Sequence, residues 1–139
     1  MSARSKARKR ALDALYASGV RGGSPIDLLR ETEVEVADRQ GQQPIFDYAE
    51  MLLTGYQENA AEIDNELTML ADNWSLERMP SIDRAILRLG AWEILYNHEV
   101  PNEVAISEAV ALASEFSTDD SPKFVNGVLA RLAKGSQAL

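Results

Sequence analysis

Residues 81–97 read SIDRAILRLGAWEILYN. Ile82, Ile86, Leu89, Ala91, Trp92, Ile94 and Leu95 put apolar side chains on most sides of a helix. A helix apolar on that many sides has to be surrounded by neighbours, so this stretch predicts the central member of a helical bundle. Pro80 stands before it and Ser81 can cap it. Upstream, DNWSLERMPS (72–81) interrupts the periodicity, with Ser75 opening a short helical turn. A subdomain boundary is expected there, dividing the chain into 1–73 and 74–139.

The same period continues on both sides. Ile45, Ala49, Leu52, Leu53, Tyr56, Ala60, Ile63, Leu67 and Leu70 recur at steps of three and four, as on one long helix packed along its whole length. Downstream, PNEVAISEAVALASEF (101–116) supplies Ala105, Ala109, Leu112 and Phe116. STDDSPKFVNGVLARLAKG (117–135) then has Ser121 at the expected N-cap and Pro122 at N1, a stripe from Phe124 to Leu132, and Gly135 as a stop. Nearer the N-terminus, SPIDLLRE (24–31) opens a helix at Ser24-Pro25, and DRQGQQP (38–44) reads as a loop. In ARSKARKRALDALY (3–16), Ala7, Ala11, Leu12, Leu15 and Tyr16 form an apolar stripe, with Arg8 and Lys9 expected to project away from it. Gly19, Gly22 and Gly23 end that helix. With no alternating strands and no repeats, the fold class is all-α: about seven helices in two packed helical subdomains.

Charge is unevenly placed. The 139 residues hold 14 basic and 22 acidic side chains, a formal charge of -8. Five of the basic ones, Arg4, Lys6, Arg8, Lys9 and Arg10, lie in the first ten residues, where no acid occurs. Charges farther apart than about 8–10 Å are largely screened at physiological salt, so a local basic face can bind polyanion on an acidic protein. The competing reading is a solvated chain end.

Catalysis has little to stand on. There is no cysteine, which excludes disulfides and thiolate chemistry, and His98 is the single histidine. No glycine-rich phosphate loop is present. Asp119-Asp120 precede a helix, where carboxylates stabilise the free N–H groups. No metal site, cofactor, membrane span or secretory signal is expected, and the composition suits a reducing cytoplasm. Gly127 within SPKFVNG costs about 1 kcal/mol relative to alanine, which predicts close backbone approach or room for a ligand. Phe124 is expected in the core, or at the surface as a stacking face.

ARKRALDALY (7–16, with Ala3 and Arg4 ahead of it), IDRAILRLGAWEIL (82–95) and VPNEVAISEAVALASEFSTDDSPKFVNGVL (100–129) together resemble the NusB family of bacterial transcription antitermination factors. The resemblance spans residues 3–133, is strongest over 80–129, and is loosest over 20–45. It implies an all-helical, non-catalytic protein that binds single-stranded boxA RNA of ribosomal RNA leaders together with NusE, a small-subunit ribosomal protein. It also implies loading onto RNA polymerase with other Nus factors. Carried over by position, the RNA-binding residues are Arg4, Lys6, Arg8, Lys9, Arg10, Asp120, Lys123 and Phe124, and the NusE-facing acids are Glu77 and Asp83. The basic opening is shorter and richer in Lys than in many relatives, which leaves the contact geometry of Lys6 and Lys9 open, since Lys acts as a point charge where Arg binds as a fork. Some members dimerise, and a homodimer covering the basic helix would regulate access to RNA. The alternative is a helical protein–protein adaptor or homo-oligomerisation module without sequence-specific RNA binding. NusB-like domains also occur ahead of RNA methyltransferases, and the third reading, such an enzyme, is disfavoured because no nucleotide-binding fold follows here.

Overall fold

The computed structural model describes residues 2–71 and 74–137, with Gln137 described by its backbone alone. Among the described residues there are seven helices and no strand: α1 (Ala3–Arg21), α2 (Pro25–Glu35), α3 (Gln43–Glu58), α4 (Ala60–Leu70), α5 (Ser81–Tyr96), α6 (Asn102–Phe116) and α7 (Ser121–Gln137). The expected all-α class holds. Asp72 and Asn73, where the subdomain boundary was expected, lie outside the described residues. None of the described helices is long and apolar enough to cross a membrane.

Local chemistry sets the ends. Ser2 caps α1 by accepting from the Ser5 N–H at 3.0 Å. The helix runs through Gly19 and stops at Gly22, whose φ of 81° lies in the left-handed region that glycine tolerates. The expected single helix over 45–70 is in fact two. It breaks at Asn59, whose side chain donates to the Gly55 carbonyl at 2.8 Å while its N–H bonds Tyr56. An Asn amide that pairs with a carbonyl of the preceding turn offers the backbone an alternative to continuing. The expected caps at Ser81 and Ser121 each shift by one residue. Pro80 and Asp120 hold the cap positions, their carbonyls accepting from Arg84 and Phe124, so that both serines lie in the first helical turn.

α5 sits in the middle, packed by α1, α3, α4, α6 and α7. Ile86, Leu87, Ala91 and Ile94 are almost wholly buried, as its apolar circumference requires. Two glycines allow the close packing. A Cβ at Gly55 would lie 2.1 Å from Trp92 Nε1, and one at Gly90 would lie 2.9 Å from Leu129 Cδ1. Gly127, expected to mark such an approach, has nothing within 4 Å of its would-be Cβ. Close contact at that position is corrected: its α7 face is open.

Candidate nucleic-acid interface

α1 is fastened to the core by a charged network. Arg8 is 5 % exposed and forms a fork with Glu93 of α5, Nε–Oε1 and Nη2–Oε2 both at 2.9 Å. Its Nη1 reaches Glu108 of α6 at 3.1 Å, and Ser5 Oγ donates to the same carboxylate. Tyr48 of α3 donates to Glu93, and Asn97 donates to the Tyr48 hydroxyl at 3.0 Å. Burial alone would lower the Arg8 pKa, but the hydrogen bond and charge of Glu93 outweigh it and hold the guanidinium above its ordinary value. Burial first, and then the neighbouring Glu93, push the Tyr48 phenol up. Four helices thus share one buried, fully engaged cluster.

The expectation that Arg8 projects from the apolar stripe is therefore corrected. Arg8 precedes Leu12 by four residues and Leu15 by seven, which is the spacing of a shared helix face. It faces inward because Glu93, 2 % exposed on an otherwise apolar helix, needs a cation.

The other basic residues of α1 stay in reach of solvent. Arg4 pairs with Glu99 at 3.2 Å, with side chains 44 % and 79 % exposed, and lies over the Tyr48 ring at 5.0 Å. Lys9 pairs with Asp13 one turn on and stands 4.5 Å over the Phe116 ring. Arg10 lies over Phe46 at 5.5 Å, and Lys6 is exposed. Exposed ion pairs contribute only about 0.2–1 kcal/mol, so a phosphate can displace Glu99 or Asp13 at little cost. Taking Arg8 from Glu93 would strand a buried carboxylate, at about 3–5 kcal/mol. That difference separates the binding cations from the structural one.

Lys6, Lys9 and Arg10 border a groove of about 380 Å³ between α1 and α6. Ile45 and Leu112 contribute apolar lining, Phe116 and Glu115 line the α6 side, and Arg39 with Gln42 come in from the α2–α3 connection. Arg39 was not foreseen. It sits in a loop 29 residues from Arg10 in sequence, and only the packing of α2 and α3 on α1 brings it to the same groove. Among the described residues neither Lys6 nor Arg39 forms an ion pair.

The remaining expected residues divide. Asp120 and Lys123 are exposed at the start of α7. Phe124 is half-buried, packed on the core with one face against Trp74. Phe124, Trp74, Thr118 and Asp120 border a second cleft of about 400 Å³. Glu77 is exposed in the turn before α5. Asp83 is 1 % exposed, its two carboxylate oxygens accepting from Ser117 Oγ at 2.5 Å and Ser121 Oγ at 2.8 Å. The expectation of Asp83 as a surface acid is corrected: it ties α5 to the α6–α7 turn and presents no carboxylate to a partner.

Comparison with known proteins accords with this architecture. A sequence model described as the NusB family matches residues 5–134. The transcription antitermination protein NusB of Nocardioides sp. is 48% identical over 139 residues, covering 100% of this chain and 99% of that protein. That of Clavibacter sepedonicus is 51% identical over 133 residues, covering 96% and 97%. Among solved structures, NusB of T. maritima superposes with a TM-score of 0.86 at 31% identity, covering 98% of this chain and 97% of that one. A crystal structure of antitermination factors NusB and NusE in complex with double-stranded RNA contains a chain that matches with a TM-score of 0.85 at 27% identity, covering 97% and 98%.

Proposed function

The chain belongs to the NusB family, and on that premise we propose that it binds single-stranded boxA RNA of nascent ribosomal RNA together with NusE, as part of a cytoplasmic antitermination complex on RNA polymerase with other Nus factors. The observation that carries this reading is the groove beside α1. On a protein of formal charge -8 it gathers Lys6, Lys9, Arg10 and Arg39 around an exposed aromatic ring, Phe116. Cations hold the phosphate backbone, while unpaired bases supply faces for stacking. Arg4, at the start of the same helix, extends the positive strip. Asp120, Lys123 and Phe124 offer polar and aromatic contacts beyond it.

The acidic remainder suits a basic ribosomal protein, because opposite charge speeds encounter and fixes orientation. Glu77, exposed ahead of α5, is the acid we assign to that face. Asp83 acts behind it, by holding the α6–α7 turn in place.

Titration of fluorescent boxA RNA against a scrambled strand, with and without NusE, tests the reading. With about four phosphate contacts at roughly 0.7 each, the logarithm of affinity should fall with the logarithm of salt at a slope near -3. A flat salt dependence, or equal affinity for boxA and scrambled RNA with NusE present, would instead support the adaptor reading.

A further inference from the structure

The turn from α6 to α7 carries the groove of α1 to the second cleft. Lys9 stands over Phe116, the last residue of α6, and Ser117–Asp120 follow directly. Beyond that turn Trp74 and Phe124 meet edge to face, ring centroids 5.2 Å apart and planes at 61°. Trp74 is 46 % exposed, whereas the other tryptophan, Trp92, is buried against Gly55. An indole left in water beside a second ring is an unused apolar face. The polar rim is selective. Asp83 at the cleft has both carboxylate oxygens engaged by serine hydroxyls, and the Thr118 hydroxyl is shared with Ser121. Asp120 is exposed, and no hydrogen bond engages its carboxylate among the described residues.

Resting on the RNA-binding reading above, we propose that this cleft takes one unpaired nucleobase of the strand held along α1, stacked on Trp74, with an amino edge donating to Asp120. A phosphate does not fit, because Asp83 and Asp120 repel it. A base fits: its face needs an aromatic platform, and adenine, cytosine and guanine carry exocyclic amines that a carboxylate accepts. Uracil has no exocyclic amine, so the cleft favours the other three. Trp74 thereby becomes a specificity-determining residue, and the path from Lys9 through Phe116 to Trp74 orders the strand.

The full chain, alone and with NusE, is titrated with single-stranded boxA RNA over a range of salt. RNA binding should quench the emission of Trp74. Trp74→Ala should weaken binding about 5- to 100-fold with the salt slope unchanged, since stacking releases no counterions. Trp74→Phe keeps a ring and should retain most of the affinity. Replacing nucleotides one at a time by abasic residues should find one position whose loss costs the parent protein affinity but costs Trp74→Ala nothing further. Unchanged RNA affinity in a folded Trp74→Ala, or additivity at every abasic position, overturns the base cleft and leaves the α1 reading intact. Loss of NusE affinity with RNA affinity unchanged overturns it as well, in favour of a protein side chain. A parent protein that binds no RNA overturns both.

Discussion

Arg8→Ala should unfold this protein more readily instead of stripping away a phosphate contact. In the parent, Arg8 and Glu93 side chains are 6 % and 2 % exposed and joined by two hydrogen bonds of 2.9 Å. Removing the guanidinium leaves Glu93 buried with the Tyr48 hydroxyl as its remaining donor. Breaking a buried pair on one side costs about 3–5 kcal/mol. A chain of this length is stabilised by roughly 7–20 kcal/mol in total, so the loss is a large fraction. At about 4 °C per kcal/mol the midpoint should fall by about 12–20 °C. Circular dichroism melts and urea titration measure it, and an unchanged m-value keeps the comparison two-state. Arg8→Met with Glu93→Leu should recover much of the loss, because no unpaired charge remains. Below its lowered midpoint, Arg8→Ala should keep the parent's salt slope for RNA, while Lys6→Ala and Arg10→Ala each reduce it by about 0.7. A melting point within about 2 °C of the parent, or a slope reduced as in Lys6→Ala, would refute the structural role.

Other expectations follow from the same packing. Tyr48 and Tyr56 are both pushed above the ordinary phenol value, by burial first. The folded state therefore holds those protons more tightly than the unfolded one. Their contribution is complete below about pH 10 and is lost as pH rises through the folded values, so urea midpoints should fall with pH in that range and fall less steeply in Tyr48→Phe with Tyr56→Phe. Gly55→Ala drives a methyl into Trp92 and should cost about 1–3 kcal/mol. Gly127→Ala meets nothing and should stabilise by about 0.5–1 kcal/mol; the two urea midpoints should move in opposite directions. Asp83→Ala removes the acceptor of two serine hydroxyls and should cost about 1.5–3 kcal/mol, whereas Glu77→Ala should leave the melt unchanged and slow association with NusE in stopped-flow at low salt.

Periodicity is a local signal, and the sequence by itself therefore determined which stretches are helical and which helix lies at the centre. Residues 81–97 needed neighbours on most sides, and α5 has them. The basic concentration at the N-terminus was equally local and equally visible. Breaks within a helix were less so: Asn59 divides 45–70 by a side-chain bond that the apolar steps on either side do not register.

What tertiary structure alone decided is the fate of each charge. Arg8 and Lys9 are neighbours of the same sign, yet one is locked to Glu93, 85 residues away, and the other meets solvent beside Phe116. Asp83 and Glu77 are both acids at the start of the second half, yet only Glu77 faces outward. Arg39 joins the groove, and Trp74 meets Phe124, only because distant helices pack there. Burial of a charge is settled by whether a partner on another helix can satisfy it. That pairing is non-local, so it appears only when the chain has folded.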